Sequence, residues 1–292
     1  MPYTKTVWTD EELAGPERYN ILEDDDIFIS ETVQIVLDTA VTTPGTGVTA
    51  ARMNNIEAGI SDIAKGTISG LKLQRVSATA LTVGTGYAGL SDGSMIVVST
   101  AIAKTSLSLS ANTWYHVYLY DNGGTPDIEI VTTAPATAYF GTARAKTGDT
   151  SRRYIGSARA GASANILYFT MIGSGGQVDI VYGEDFSTVL RVLSGGSATT
   201  ETDVSLAGLV PPTVTNAKIS AFNNSAGTQF LYLGASGADN VDPGAATGVL
   251  GAAVNRNINT LINTDASQNI SYALSAASGS VNIQVQGYVL ER

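Results

Sequence analysis

The sequence predicts a mainly β protein: an extended N-terminal arm, one short α-helix with a heptad seam, and two β-sandwich-like domains. Three observations carry this. Apolar and polar residues alternate with period two in stretch after stretch from Leu71 onward, the spacing of half-buried strands. Turn-forming residues separate those stretches, drawn from 31 glycines and a composition in which only 14% of residues are charged. A single segment follows helical spacing instead. The organisation reads as an arm over 1–47, a helix over 48–66, a β-domain over 71–192 and a jelly-roll-like tip domain over 202–292.

The arm is set apart by charge. Residues 1–60 hold eleven acids against Lys5, Arg18 and Arg52, whereas the rest of the chain holds fifteen acids against thirteen bases. Tyr19-Asn20-Ile21-Leu22 leads into the acidic turn Glu23-Asp24-Asp25-Asp26, and residues 27–29 and 32–37 can pair as a hairpin. Pro44, Gly45 and Gly47 then break the chain. An acidic arm on a nearly neutral body repels a phosphate backbone, so nucleic acid is not an expected partner. A protein surface with basic patches is. The opening residues 1–10 have neither a basic stretch nor an apolar one, so no signal peptide is expected. No apolar run approaches the roughly 18 residues that a bilayer demands, so no membrane insertion is expected.

In the helix, Met53, Ile56, Ile60 and Ile63 recur at spacings of three, four and three, the a/d step of a heptad. Thr49 is placed to cap the first turn, Val48 to staple onto Met53, and Gly66 to close the helix in the left-handed conformation. Gly59 weakens the interior by about 1 kcal/mol. A helix of this length is marginal alone. Burying the four apolar side chains would supply about 1.5–3 kcal/mol each. The partner is either the β-body of the same chain or the same helix of neighbouring chains.

In the first β-domain, residues 113–120 alternate strictly. Tyr115, Val117 and Leu119 lie on one face, and Trp114, His116, Tyr118 and Tyr120 on the other; with aromatics on both faces, one face is expected to be covered by another sheet or another subunit. Asp121-Asn122-Gly123-Gly124 is a hairpin turn, with residues 128–131 as the return strand. A second hairpin runs over 166–172 and 178–182 around Gly173-Ser174-Gly175-Gly176. Residues 193–201 are polar and glycine-rich, the composition of a linker. Beyond them, residues 218–222, 230–234, 270–274 and 281–289 read as strands. In the last, Val281, Ile283, Val285 and Val289 are inward and Asn282, Gln284, Gln286 and Tyr288 outward.

Little in the sequence points to catalysis. Gly84, Gly86 and Gly89 match a dinucleotide fingerprint by letter, but a further turn follows where a helix must open. His116 is the single histidine, sits mid-strand with no nucleophile motif beside it, and reads as a core or interface residue. There is no cysteine, no H-E-x-x-H, and no calcium-loop spacing around Asp24-Asp25-Asp26, so no metal and no cofactor are expected. Glu184-Asp185, Asp239 and Asp242 are carboxylates that a glycan-cutting pair could draw on. Arg152-Arg153-Tyr154 reads as a solvated turn or an inter-subunit contact. Loops carrying Asn223, Asn224 and Ser225, and Asp239 and Asn240, offer amides and hydroxyls suited to sugar hydroxyls.

Tyr19-Asn20-Ile21, Val41-Thr42-Thr43-Pro44-Gly45-Thr46 and Met53-Asn54-Asn55-Ile56-Glu57-Ala58-Gly59-Ile60 resemble the opening of tailed-bacteriophage fibre and baseplate-attached proteins. Residues 108–120, with Tyr139-Phe140-Gly141-Thr142-Ala143-Arg144 and Ser151-Arg152-Arg153-Tyr154-Ile155-Gly156-Ser157, are similar to a module recurring in phage appendage proteins. The resemblance implies a non-enzymatic homotrimeric tail fibre, located on the virion. Met53, Ile56, Ile60 and Ile63 would form its trimer interface. Residues 1–47 would dock on virion proteins of the tail, baseplate or capsid, and the C-terminal domain would meet a host surface glycan. The alternatives are a head fibre or cement protein that decorates the capsid, and a depolymerase acting on a surface glycan.

Overall fold

The computed structural model describes residues 49–224, 229–237, 248–250, 256–277 and 279–292. The arm, its expected hairpin and Val48 lie outside the described residues. The chain divides into two compact units between Ser61 and Asp62, within the helix Ala50–Gly66. The fold is mainly β with this one helix among the described residues, and its sheets pack in sandwich-like layers.

The helix begins where Thr49 caps it. The Arg52 amide donates to Thr49 Oγ1 at 3.3 Å, and the Met53 amide to Thr49 O at 3.0 Å. Its end differs from expectation. Gly66 is not left-handed; Thr67 closes the helix instead, its hydroxyl donating to Ile63 O at 2.8 Å and its amide to Ala64 O. A Cβ on Gly66 would lie 2.7 Å from Phe140 Cδ1, so a side chain there would push the exposed Phe140 ring aside.

Among the described residues beyond the helix every strand pairing is antiparallel, in five sheets. Ile68–Gly70, Gly86–Gly89 and Met95–Val98 form one small sheet; Leu73–Ser77, Ala80–Val83 and Ile102–Lys104 form another. A five-stranded sheet runs in the order Thr125–Val131, Thr113–Asn122, Asp149–Ala160, Ala143–Lys146, Pro135–Phe140. Its first hairpin turns at Gly123 and Gly124, both with positive φ as a type I′ turn requires, and Asp121 Oδ1 accepts the Gly124 amide at 2.7 Å. Tyr115 through Leu119 are all buried, so both faces of that strand are covered.

The six-stranded sheet joins what the sequence separates. Phe169–Ile172 pairs with Gln177–Tyr182, which pairs with Val281–Glu291; that strand pairs with Asn216–Asn223, and Asn216–Asn223 with Arg256–Asn263. The expected linker is no linker: Arg191–Gly196 is a strand bonded to the first part of Val281–Glu291. A four-stranded sheet of Thr202–Ser205, Asn269–Leu274, Leu231–Ala235 and Gly248–Leu250 completes the set. One continuous apolar core runs from Ile68 to Leu290.

Two further expectations change. Tyr288 does not face outward. Lys218 opposes Gly287 while Ile219 opposes Val285, so Gln286 is bulged out and the side-chain phase slips by one. Tyr288 and Leu290 therefore join the core. Arg152-Arg153-Tyr154 is not a turn but part of the strand Asp149–Ala160. Arg153 and Tyr154 are fully buried, whereas Arg152 reaches Glu129 at 3.2 Å and stacks over the Tyr120 ring at 3.7 Å.

Candidate functional site

The residues expected to form a seam stand on the surface. No residue of the helix is buried, and Ile56, Ile60 and Ile63 are 55%, 44% and 70% exposed; Met53 is half-buried. Aliphatic side chains in that array, repeating at heptad spacing, form an apolar stripe.

The expected ligand loops fare differently. Asn223 is fully buried, its amide donating to Gln229 O at 2.9 Å, so it fastens its loop from within. Asn224 is exposed and its amide donates to Ser280 O. Ser225, Asp239, Asn240 and Asp242 lie outside the described residues. Glu184 accepts the Tyr168 amide, and Asp185 accepts both the hydroxyl and the amide of Ser187 at 2.6 Å. Those Ser187 bonds hold the Asp185 carboxyl below its ordinary pKa, with Arg191 a minor contributor. Asp185 thus fastens a local turn, and Glu184 ties its loop to the segment before the strand Phe169–Ile172.

His116 is 2% exposed, its Nδ1 lying 2.8 Å from Ser157 Oγ. Ser157 in turn meets the Tyr154 hydroxyl at 2.7 Å, which lies 3.3 Å from Thr213 Oγ1. The chain of hydroxyls satisfies polar groups inside the core, out of reach of any substrate. Gly86 and Gly89 have a packing role. A Cβ on Gly86 would collide with Ser69 O, and one on Gly89 with Ala64 O, so these glycines let backbones touch. Among the described residues no three His, Asp or Glu side chains gather as a metal would require, and no helix is long and apolar enough to cross a membrane.

One concavity of the β-body is one the sequence did not mark. A cavity of about 650 Å³ lies among Arg75, Arg159, Arg191, Glu184, the loop Gly161 to Leu167, and Ser205 to Leu209. Its walls are fixed. Trp114 Nε1 donates to Ala207 O at 2.9 Å, and the Tyr182 hydroxyl to Leu209 O at 2.7 Å. The Asn112 amide donates to Gly161 O at 3.1 Å, and Ala164 turns the loop with φ of 55°. Arg159 lies over the Trp114 ring at 5.6 Å and Arg75 over the Tyr168 ring at 5.7 Å, while Arg75 Nε donates to Ile166 O at 2.8 Å. Burial pulls the Arg159 pKa down.

Glu184 also borders a second hollow of about 540 Å³ on the six-stranded sheet. Three adjacent strands line it: Asn259, Ser220 and Gln284 fall in one row, with Asn257 and Phe222 in the next. Gln286 Nε2 donates to Asn259 Oδ1 at 3.1 Å, and Phe186 stands exposed at the rim. A guanidinium-lined cavity beside an amide-lined hollow has the groups to recognise anions and hydroxyls. Sequence reasoning missed it because Arg75, Arg159 and Arg191 are single bases on separate elements, with no run or motif to link them. No protein-family model matches the chain, and no curated protein matches it.

Proposed function

We propose that the chain is a structural component of a bacteriophage virion: a homotrimeric tail fibre, held to the particle by its acidic N-terminal arm and displaying its β-body to the host surface. The observation that carries this reading is the exposed stripe of Ile56, Ile60 and Ile63 on a helix without a buried residue. A helix of 17 residues gains little stability alone, and isoleucines exposed at heptad spacing have most to gain from copies of themselves. Isoleucine at both a and d favours three or four strands over two. Arg52, Glu57, Asp62 and Lys65 leave the helix without net charge, so like-charge repulsion does not oppose assembly.

No catalytic constellation is part of this reading; the body acts by presenting surfaces. A capsid-decorating fibre with the same architecture is the second reading, and the near-neutral body on an acidic arm fits it equally. Immuno-electron microscopy of intact particles with antibody against the body tests both. Label at the tail is the expected result. Even label over the capsid supports decoration, and unlabelled particles overturn a virion role altogether. Release of reducing sugar from surface glycan by the purified chain would instead support a depolymerase.

A further inference from the structure

We infer that the cavity between Arg75, Arg159 and Arg191 is a binding site for an acidic oligosaccharide, its carboxylates held by the three guanidinium groups and its hydroxyls by the neighbouring amides. The inference is independent of how the chain assembles or where it is carried.

Unpaired charge is the first argument. Four other cations of the body have carboxylates, Lys104 with Asp127 at 2.8 Å, Lys146 and Arg152 with Glu129, and Lys218 with Asp179 at 3.0 Å, while the buried Arg153 and Arg292 are held by carbonyls. Arg75, Arg159 and Arg191 form no ion pair among the described residues. Arg159 makes only its contact with the Trp114 ring. Arg191 donates to Ser194 Oγ at 3.5 Å and feels the Asp185 carboxylate without forming an ion pair with it, and its enclosed Nε has no hydrogen-bond partner. Glu184 is the single acid in the lining, and its Oε1 is occupied by the Tyr168 amide. Three guanidiniums therefore share one hollow with spare donors, the situation that a ligand carboxylate resolves in bidentate fashion.

Preorganisation is the second. Trp114 and Tyr168 back two of the guanidinium planes, and the Arg75 Nε bond to Ile166 O fixes a third point. A guanidinium held against a ring loses less freedom when it binds. The volume falls within the range of about 300–1,000 Å³ usual for small-ligand sites.

The adjoining hollow decides the class. Asn257 and the mutually bonded Asn259 and Gln286 line it with amides beside Phe222 and Phe186, over the buried Gln284, a set matched to ring hydroxyls and an apolar sugar face. A nucleic acid carries one charge per roughly 1.7 Å of duplex and needs an extended basic track. Here the basic groups are confined to one cavity, on a chain of net charge −10.

The test is isothermal titration calorimetry of the full chain with trigalacturonic acid, using maltotriose as the uncharged control. The acidic trisaccharide should bind, more weakly as salt is raised, and maltotriose should not. Arg159→Gln with Arg191→Gln should weaken binding at least tenfold while the thermal unfolding midpoint stays put. Ser163→Glu leaves the three arginines in place but adds a carboxylate at the cavity's exposed rim, and should weaken binding even if the arginine variants misfold. No binding of trigalacturonic acid at millimolar concentration, or binding that both sets of variants leave unchanged, overturns the inference. So does tighter binding of an oligothymidylate or an oligoglutamate, which would assign the cavity to nucleic acid or to acidic protein.

Discussion

Arg292 Nη2 donates to the carbonyl oxygen of Gly70 at 2.7 Å, joining residues 222 positions apart. The same guanidinium donates to Leu71 O at 2.9 Å and Gly175 O at 3.1 Å, with longer bonds to Ile155 O and Ser174 O. The side chain is fully buried, and that burial, with Arg153 close by, draws its pKa down to about 10. Its partners are carbonyl dipoles only. The strand Val281–Glu291 is thus locked to the first strand after the helix, and Gly70 takes φ of 68° to bring its carbonyl there.

A lysine cannot reproduce this fork, because one ammonium cannot reach carbonyls on three separate segments. Arg292→Lys should lower unfolding stability by about 2–4 kcal/mol, and Arg292→Ala by at least as much, since buried carbonyls lose charged donors. Urea denaturation followed by tryptophan fluorescence measures it. A change under about 0.5 kcal/mol would show the fork to be incidental.

His116 makes stability depend on pH. Burial holds its pKa at about 4, below the ordinary 6.5. As pH falls below about 6.5 the unfolded chain takes up a proton that the folded chain refuses until about pH 4. Stability contributed by the neutral ring is therefore complete above pH 6.5 and lost progressively down to pH 4, by up to roughly 3 kcal/mol. Denaturation at pH 7.5, 6, 5 and 4.5 should show that decline. His116→Gln should flatten the part above pH 5, where carboxylates contribute little.

Two glycines should respond in opposite directions. Nothing lies within 4 Å of where a Cβ on Gly59 would sit, so Gly59→Ala should stabilise the helix by about 1 kcal/mol. A Cβ on Gly89 would collide with Ala64 O, and the Gly89 carbonyl also accepts the Tyr139 hydroxyl at 2.9 Å. Gly89→Ala should cost about 1–3 kcal/mol. Amide hydrogen exchange in the helix reads the first substitution, and thermal unfolding the second.

What was legible in the sequence was local. Thr49 marked the helix start through its own capping chemistry, and Gly123 with Gly124 marked a hairpin because type I′ turns need positive φ twice. The buried double face of residues 115–119 followed from aromatics on both phases of one strand. What failed depends on distant partners. Residues 193–201 look like a linker by composition, and only the reach of Val281–Glu291 makes their first part, to Gly196, a strand. The inward turn of Tyr288 comes from a bulge that no residue of its own announces. Arg153 is charged, so its full burial over the Tyr139 ring runs against every composition rule. The arginine cavity needs three elements far apart in sequence to meet, and no spacing encodes that.

On the reading proposed above, the exposed stripe of the helix joins three copies of the chain. Multi-angle light scattering of the full chain, at several concentrations, tests it most directly. The expected mass is three times the 30.2 kDa of one chain. Ile56→Asp with Ile60→Asp, which place charges in the seam, should reduce that mass while the β-body keeps its unfolding transition. A single-chain mass at every concentration, or a trimer unmoved by the double substitution, would contradict the account.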